Sequence, residues 1–513
     1  MPESVLVHRG RYHDSAFLMR LSRELSARPG VQEAVVVMGT EMNRELLRGA
    51  GFHAPALDTA GPMDLVVAVR ASDGKAIEGA SRELERLLQA APTAAPGAAA
   101  RPGSLVEALR AQPDADLVSV AVPGEYAGHV ALAALRAGRH VFLFSNNVPL
   151  EDELRLKRLA RERGLLVMGP DCGTAILGGV GLGFANRVRR GPVGLVGASG
   201  TGLQEVSSLL HQLGSGVSHV LGTGSRDLGA EVGGLMTEAG LELLAGDEGT
   251  RVIGLVAKHP AAEVAERLHR VLARLGKPVV VRYLGQPARS SADGVTYTGS
   301  LEEAACAAAA LVGPATAPAL ATCPLEDDVR ELLSLRPRVE GRLVALFGGG
   351  SLAAEAALVL RGQGLEVEEP DRPLGAGAPL PGRAHLVVDT GEDFYTRGKP
   401  HPMVDQTVRC GLVRALGAEP GVGLLLLDLV LGDGAHPDPA AELGAAVRSA
   451  RAAREARGAP PLLVLASVTG TELDPQDANR QRGLLTAAGV HCQASAWRAA
   501  VVASALLTGP GGK

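Results

Sequence analysis

The stretch VGLVGASGTGLQEV, residues 193–206, decides the fold. Its first half is a continuous apolar run of the length and character of a parallel strand covered on both faces. Its second half carries apolar residues at helical spacing, and a Gly/Ser-rich turn joins the two. A buried strand that passes through such a turn into a helix is the building unit of α/β proteins. The same design returns at LVALFGGGSLAAEA, residues 343–356. The chain therefore reads as two related α/β lobes in tandem.

Outward from these segments, short apolar runs alternate with helical-period stretches. They include AVVVMG (34–39), DLVVAVR (64–70), DLVSVAV (116–122), HVFLFS (140–145), LLVMG (165–169), VIGLVA (252–257), PVVVRYL (278–284), HLVVDT (385–390), LLLLDLVLG (424–432) and LLVLASVTG (462–470). This pattern predicts doubly wound parallel sheets. At 513 residues the chain exceeds one ordinary core. Two stretches rich in Ala, Pro and Gly mark linkers or long loops, APTAAPGAAARPG (91–103) and VGPATAPALATCP (312–324). A third, EEPDRPLGAGAPLPG (368–382), has the length of a functional flap or interface loop.

Composition narrows the partners. The net charge is −5, basic residues are mixed among acidic ones, and aromatics make up 3% of the chain. Neither a basic stripe nor a stacking platform is present, which argues against nucleic acid. The five cysteines are odd in number and widely spaced, arguing against a disulfide framework or a metal site. No signal peptide or apolar span of membrane length is read, and a reducing cytoplasm is the expected location.

Three turns that follow continuous strands hold the candidate anion-binding groups. A Gly-rich turn at a helix start offers free N–H groups, the positive end of the helix dipole and room for close approach. Ser199, Gly200 and Thr201 form the first such turn, Gly349 and Gly350 the second, and Gly432, Asp433 and Gly434 the third. Ser199 serves equally well as a plain helix cap, and Asp433 reads more readily as an N-cap. In LLVMGPDCGTAILGG (165–179), Asp171 can orient a polar ligand or close an Asx turn. Cys172 beside it reads as a small packing residue more readily than as a nucleophile.

MGPDCGT (168–174), SNNVPLEDE (145–153), VGLVGASGTGLQE (193–205) and LGTGSRDLGAEVGG (221–234) resemble the α-subunit of succinyl-CoA ligase in order and spacing. With DTGEDFYTRGKPHPMVD (389–405), LLLLDLVLGDGAHPDP (424–439) and ASVTGTELDPQ (466–476), the chain is identified as resembling the FdrA family. The resemblance implies a Rossmann-type CoA-binding-like domain over 1–188 and a flavodoxin-like ligase domain over 189–312. A linker over 313–335 then leads to a second flavodoxin-like domain over 336–513, similar to the carboxyl-terminal domain of the ligase β-subunit. No ATP-grasp portion has a counterpart.

The departures carry the functional expectation. The ligase bears phosphate on a histidine in a Gly-His-Ala-Gly loop, whereas GQPARSSADGVTYTGSLEEAA (285–305) has no histidine. Lys258 stands where the acidic partner of that phosphohistidine falls, with His259 next to it. The first turn, VLVHRGRYHDS (5–15), lacks the glycines of a CoA-binding Rossmann turn. The resemblance then implies a phosphate-using transfer of an acyl or carbamoyl group, like that of oxamate carbamoyltransferase. Lys258 and Asp171 would be catalytic. Asn146, Asn147, Gly224 and the three turns would hold phosphate, an acyl or carbamoyl phosphate and a small carboxylic or ureido acid. CoA is a candidate cofactor, no metal is expected, and companion subunits and self-association are implied partners. An acid–thiol ligase subunit and a non-catalytic metabolite sensor are the competing readings.

Overall fold

The computed structural model describes residues 2–509 apart from 12, 14, 91–101, 259, 287–288, 314–329, 331–338, 375–379 and 397–398. The chain divides into two compact units: residues up to Pro113 with Thr396–Pro400, and Asp114–Tyr395 with His401 onward. Most of the expected linker at 313–335, and His259, lie outside the described residues.

The first unit corrects the expectation of one Rossmann-type domain over 1–188. Its sheet has Leu65–Ala71 in the centre, flanked by Glu3–His8 and Val31–Met38, and both pairings are antiparallel. Helices Ser15–Ser26 and Gly74–Ala90 bury Leu18, Leu21, Leu25, Ala80 and Leu84 against Val36, Val67 and Val69. Leu47, Phe52 and Leu57 cover the other face over Val66 and Ala68. Strands covered on both faces read as continuous apolar runs whichever way they pair, so the sequence pattern did not reveal their direction.

In the second unit, Leu117–Val120, His140–Leu143 and Val167–Met168 form a separate three-stranded parallel sheet. A seven-stranded sheet follows in the order Val295–Tyr297, Val279–Leu284, Val252–Lys258, Arg190–Ala198, Val217–Gly222, Thr174–Leu177, Val180–Gly183. Its five strands from 190 onward run parallel, and the Thr174–Gly183 hairpin closes one edge antiparallel. The third sheet is six-stranded and wholly parallel. Its order is Val367–Glu368, His385–Asp389, Arg342–Phe347, Val422–Val430, Leu463–Thr469, His491–Gln493. The tandem doubly wound α/β architecture expected from the sequence is thus present in this unit.

The two larger sheets share one core. Val193 and Leu195 of the first and Leu343, Ala345 and Leu424 of the second belong to a single buried cluster. Between them lie helices Gly200–Gln212, Leu301–Val312, Gly350–Gly362 and Ala496–Thr508, which contribute Leu203, Val206, Ala305, Leu352, Ala356, Ala499 and Ala503. Small residues on these helices permit close packing, and burial of each larger aliphatic side chain contributes about 1.5–3 kcal/mol. Among the described residues no helix is long and apolar enough to cross a membrane.

Candidate functional site

In each lobe the first strand, Arg190–Ala198 or Arg342–Phe347, lies where the order of its parallel strands reverses. Crevices at such switch points, outside the carboxyl ends of the strands, are where open α/β sheets bind ligands. The Gly-rich turn that follows each strand starts a helix there, and the two turns meet. Ser199 precedes Gly200–Gln212 in extended backbone, but its hydroxyl does not cap that helix. Instead Ser199 Oγ lies 2.7 Å from Ser351 Oγ, both buried, and the Ser351 N–H donates to Thr201 Oγ1 at 3.3 Å.

The glycines have separate tasks. A Cβ on Gly197 would lie 1.9 Å from the Val256 carbonyl oxygen, and one on Gly202 would lie 2.3 Å from Ser199 Oγ. Both therefore serve internal packing. Gly200 faces open space, with Thr174 Oγ1 the nearest atom at 3.9 Å. In the second turn the N–H groups of Gly348 and Gly349 donate to the Asp428 carboxylate at 2.7 and 2.9 Å. Arg409, equally buried, donates to Asp428 Oδ1 at 2.5 Å and to its carbonyl at 2.7 Å. This fully hydrogen-bonded buried pair fixes where the helix Gly350–Gly362 begins.

Lys258 ends the strand Val252–Lys258, half-buried. A Cβ on Gly350 would lie 3.2 Å from its Nζ and 2.3 Å from Asp389 Oδ2, so the glycine leaves room for both groups at the start of the helix. Among the described residues the Lys258 ammonium has no hydrogen bond or ion pair. Asp389 ends the neighbouring lobe's strand His385–Asp389. Its Oδ1 accepts the Gly391 N–H at 2.8 Å, and among the described residues no hydrogen bond engages Oδ2. Burial pushes the Asp389 carboxyl up to about 6, against the lowering effects of the Gly391 N–H and Lys258.

Asp171 approaches the same ammonium from the loop after Val167–Met168. Its backbone is left-handed, φ 57°, and its N–H donates to the Ser145 carbonyl at 2.9 Å. The residue keeps exposed surface, yet enclosure of its carboxyl raises the pKa, opposed by a Ser225 hydrogen bond and by Lys258 and Arg226. Asp393 adds a like charge that raises it further. Gly224 makes the Ser225 contact possible: at φ +88°, a Cβ there would lie 2.3 Å from the Pro170 carbonyl oxygen. The loop is anchored by fully buried Lys157, which pairs at 2.8 Å with both Glu153 and Asp227. His401 lies near Gly391, where burial pushes its pKa down to about 4. Its Nδ1 accepts the Met403 N–H at 3.2 Å, as a neutral imidazole does.

The cluster thus combines an unpaired cation, the first turn of a helix and two carboxyl groups of raised pKa. Cation and helix dipole suit an anion, while perturbed carboxyl groups suit proton transfer. Of the residues singled out in the sequence, Lys258 and Gly350 meet here and Asp171 feels the Lys258 charge, while Gly349 gives its N–H to Asp428 and Thr201 Oγ1 accepts from Ser351. Asp389 and Ser351 are additions. Asp389 carried a readable signal in the charged residue ending a strand ahead of Thr-Gly, matching Lys258 at the end of its own strand.

Other expected groups go elsewhere. The turn at Gly432–Gly434 does not join Ser199 and Thr201 in a shared phosphate pocket. Asp433 pairs with Arg187 at 2.8 Å, its N–H donates to the Ala185 carbonyl, and Gly432 approaches that same carbonyl too closely for a Cβ. The turn is spent on the lobe interface. Asn146 and Asn147 are exposed, and their carbonyls lie against Gly124, where a Cβ would be 2.3 and 2.5 Å away. Cys172 is buried, its thiol pushed up to about 12 by desolvation, as suits a packing residue.

Residues 188–283 match the CoA binding domain family, residues 346–506 match CoA-ligase, and residues 1–103 match a domain described as AllF, heavy metal-associated domain. The uncharacterized protein YahF of Escherichia coli is 37% identical over 497 residues, covering 96% of each chain. Succinate–CoA ligase [ADP-forming] subunit alpha 1 of Archaeoglobus fulgidus is 30% identical over 187 residues, which are 36% of this chain and 62% of that protein. Among solved structures, the dinucleotide-forming acetyl-coenzyme A synthetase 1 of Ca. Korarchaeum cryptofilum with phosphate and ADP covers 83% of this chain and 91% of its own. It does so at 18% identity with a TM-score of 0.32.

Two groups implied by these matches can be tested against the residues present. Residues 1–103 contain no cysteine, and no grouping of three or more His, Cys, Asp or Glu able to hold a metal occurs among the described residues. The first unit therefore does not fit a soft-metal site. For CoA, the turn at 197–202 leaves open space only beside Gly200, and Ser199 is engaged by Ser351. This turn does not fit a pyrophosphate cradle, which needs backbone approach at successive glycines.

Proposed function

The chain belongs to the FdrA-like, CoA-ligase-related family that includes YahF, and from that premise we propose that it is an enzyme subunit using phosphate directly. It would move an acyl or carbamoyl group between phosphate and a small carboxylic or ureido acid, in the manner of oxamate carbamoyltransferase: oxalurate and phosphate to oxamate and carbamoyl phosphate. One observation carries this reading. The unpaired Lys258 ammonium stands at Gly350, at the start of a helix, beside Asp389 and Asp171, in a chain whose 285–305 stretch has no histidine to carry phosphate.

On this reading Lys258 holds the phosphate oxygens in the field of the helix dipole, the N–H groups of Gly348, Gly349 and Ser351 being engaged within the protein, and the charge developing on the transferred carbonyl meets the same electropositive field. A lysine suits this role as a compact point charge free to follow a dianion. Companion subunits supply the remaining substrate contacts, and the chain self-associates.

A second reading, acid–thiol ligation by a subunit that receives phosphate from a separate ATP-binding protein, is favoured by the match of residues 188–283 to a CoA binding domain. Thermal unfolding of the purified chain with phosphate, carbamoyl phosphate or CoA separates the readings, because a ligand of the native state raises the midpoint. Stabilisation by phosphate and carbamoyl phosphate, followed by phosphate-dependent cleavage of oxalurate with companion subunits, is the expected result. Stabilisation by CoA alone overturns the phosphate reading in favour of the ligase. Ligand binding without turnover in the reconstituted complex assigns the chain to metabolite sensing.

A further inference from the structure

We propose that Asp389 is the proton-transfer group of this cleft, a role that rests on the phosphate-dependent reading above. Its two oxygens are differently employed. Oδ1 is held at 2.8 Å by the Gly391 N–H, which sets the plane of the carboxyl. Oδ2 is directed at the first turn of the helix Gly350–Gly362 and takes the position that a side chain at Gly350 would need. Lys258 Nζ borders the same space but forms no ion pair with Asp389. A carboxyl oxygen and an ammonium this near one another without an ion pair can be bridged by one oxygen of an anion that accepts from both, the rest of the anion lying outside the pair.

The surroundings tune Asp389 for exchange rather than for permanent charge. Lys258 faces it from the strand Val252–Lys258, and the same ammonium also lowers the pKa of Asp171. Glu392 lies on its own loop, and Asp428, neutralised by Arg409, lies on the strand Val422–Val430. His401, near Gly391, is neutral across the physiological range. Burial of Asp389 outweighs the lowering effect of its one cation, and its carboxyl titrates at about 6.

The step balances without oxidant or reductant. An oxygen of hydrogen phosphate attacks the carbonyl carbon of the group to be transferred, forming a C–O bond, and the phosphate proton passes to Asp389 Oδ2. The bond from that carbon to the nitrogen of the small acid then breaks. Asp389 returns the proton to the departing nitrogen, giving the neutral amide and the acyl or carbamoyl phosphate. The reverse direction uses the same carboxyl in the opposite order.

Sulfate tests the site without titrating itself. Calorimetric titration of the full chain with sulfate from about pH 5 to about pH 8 should show affinity falling about tenfold as Asp389 ionises beside the anion. Asp389→Asn should bind sulfate with little pH dependence, and Asp171→Asn should keep most of the wild-type dependence. With companion subunits, Asp389→Asn should lower kcat about 100-fold or more without raising phosphate KM, the range expected for loss of a general acid–base. Asp389→Glu should recover part of that loss. A D389N protein with wild-type kcat, or with the wild-type pH dependence of sulfate binding, overturns the role of Asp389 alone. If neither sulfate nor phosphate binds the wild-type chain, the phosphate reading fails and this role falls with it.

Discussion

Glu205 and Glu355 hold the same place in two helices whose first turns touch, each four residues after the hydroxyl residue of its turn, and each reaches into the opposite lobe. Glu205 accepts the N–H of Ala496 at 3.0 Å, and Glu355 accepts the N–H of Leu301 at 2.8 Å. Both acceptances cap the first turn of a helix, next to the N-cap serines Ser495 and Ser300. Between the capped helices Arg498 pairs with Glu302 at 2.8 Å. The reciprocity follows from the repeat in the sequence, Gly-Thr-x-x-x-Glu at 200–205 and Gly-Ser-x-x-x-Glu at 350–355. It ties the geometry of both Gly-rich turns to the seating of the lobes.

Glu355 gives a pH-dependent stability. Burial pushes its carboxyl up to about 8, partly opposed by the Leu301 N–H and Arg282. The folded state then binds more protons than the unfolded state over the interval between the ordinary glutamate value and about 8. Stability should fall as pH rises through that interval. Glu355→Gln, which keeps the acceptor without the charge, should flatten the fall, while Glu355→Ala should destabilise at every pH by leaving the Leu301 N–H unpartnered, about 1–3 kcal/mol. Urea midpoints at about pH 5 and about pH 8 check this; an unchanged slope in the glutamine variant counts against it.

Ser199 is expected to matter for stability more than for anion binding. Its hydroxyl is committed to Ser351, so Ser199→Ala should cost about 0.5–1.5 kcal/mol, the net value of one hydrogen bond. Phosphate affinity should change less than about threefold. Calorimetry on both single variants and the Ser199→Ala, Ser351→Ala pair would detect the coupling. A large loss of phosphate affinity in S199A would return the hydroxyl to the ligand.

Gly350→Ala should separate stability from function. At Gly350, the first residue of its helix, alanine gains less than the about 0.8–1 kcal/mol it is worth over glycine in a helix interior. Here the new Cβ would meet Asp389 Oδ2 and crowd Lys258, displacing both from the gap. The variant should melt close to wild type and lose anion binding and turnover. Retained binding would mean that the gap is not the site.

Turnover should proceed without phosphohistidine. Incubating the chain and its companions with labelled ATP or labelled acyl phosphate, then quenching in base, should leave no near-stoichiometric label on its histidines. Lys258→Ala should weaken phosphate binding by about 1.5–3 kcal/mol, the worth of a charge-assisted hydrogen bond. Stable label on His259 or another histidine would restore the ligase mechanism.

The sequence by itself determined the tandem βα architecture, because buried parallel strands and the Gly-rich turns after them leave an apolar run and a composition that survive in one dimension. It also placed Lys258 and Asp171 at the ends of strands, where parallel sheets bind ligands. Only the tertiary structure decided which turns meet. VLGDGAH and FGGGS look alike as strand-to-helix turns, yet the first is taken up by Ala185 and Arg187, while the second lies against Thr201 and beside Lys258. The pairing direction of AVVVMG and DLVVAVR was likewise hidden, since two-sided burial yields the same residues in either direction. Asp389 became part of the site only when two lobes more than a hundred residues apart in sequence brought their strand ends together, and its raised pKa is a property of that burial.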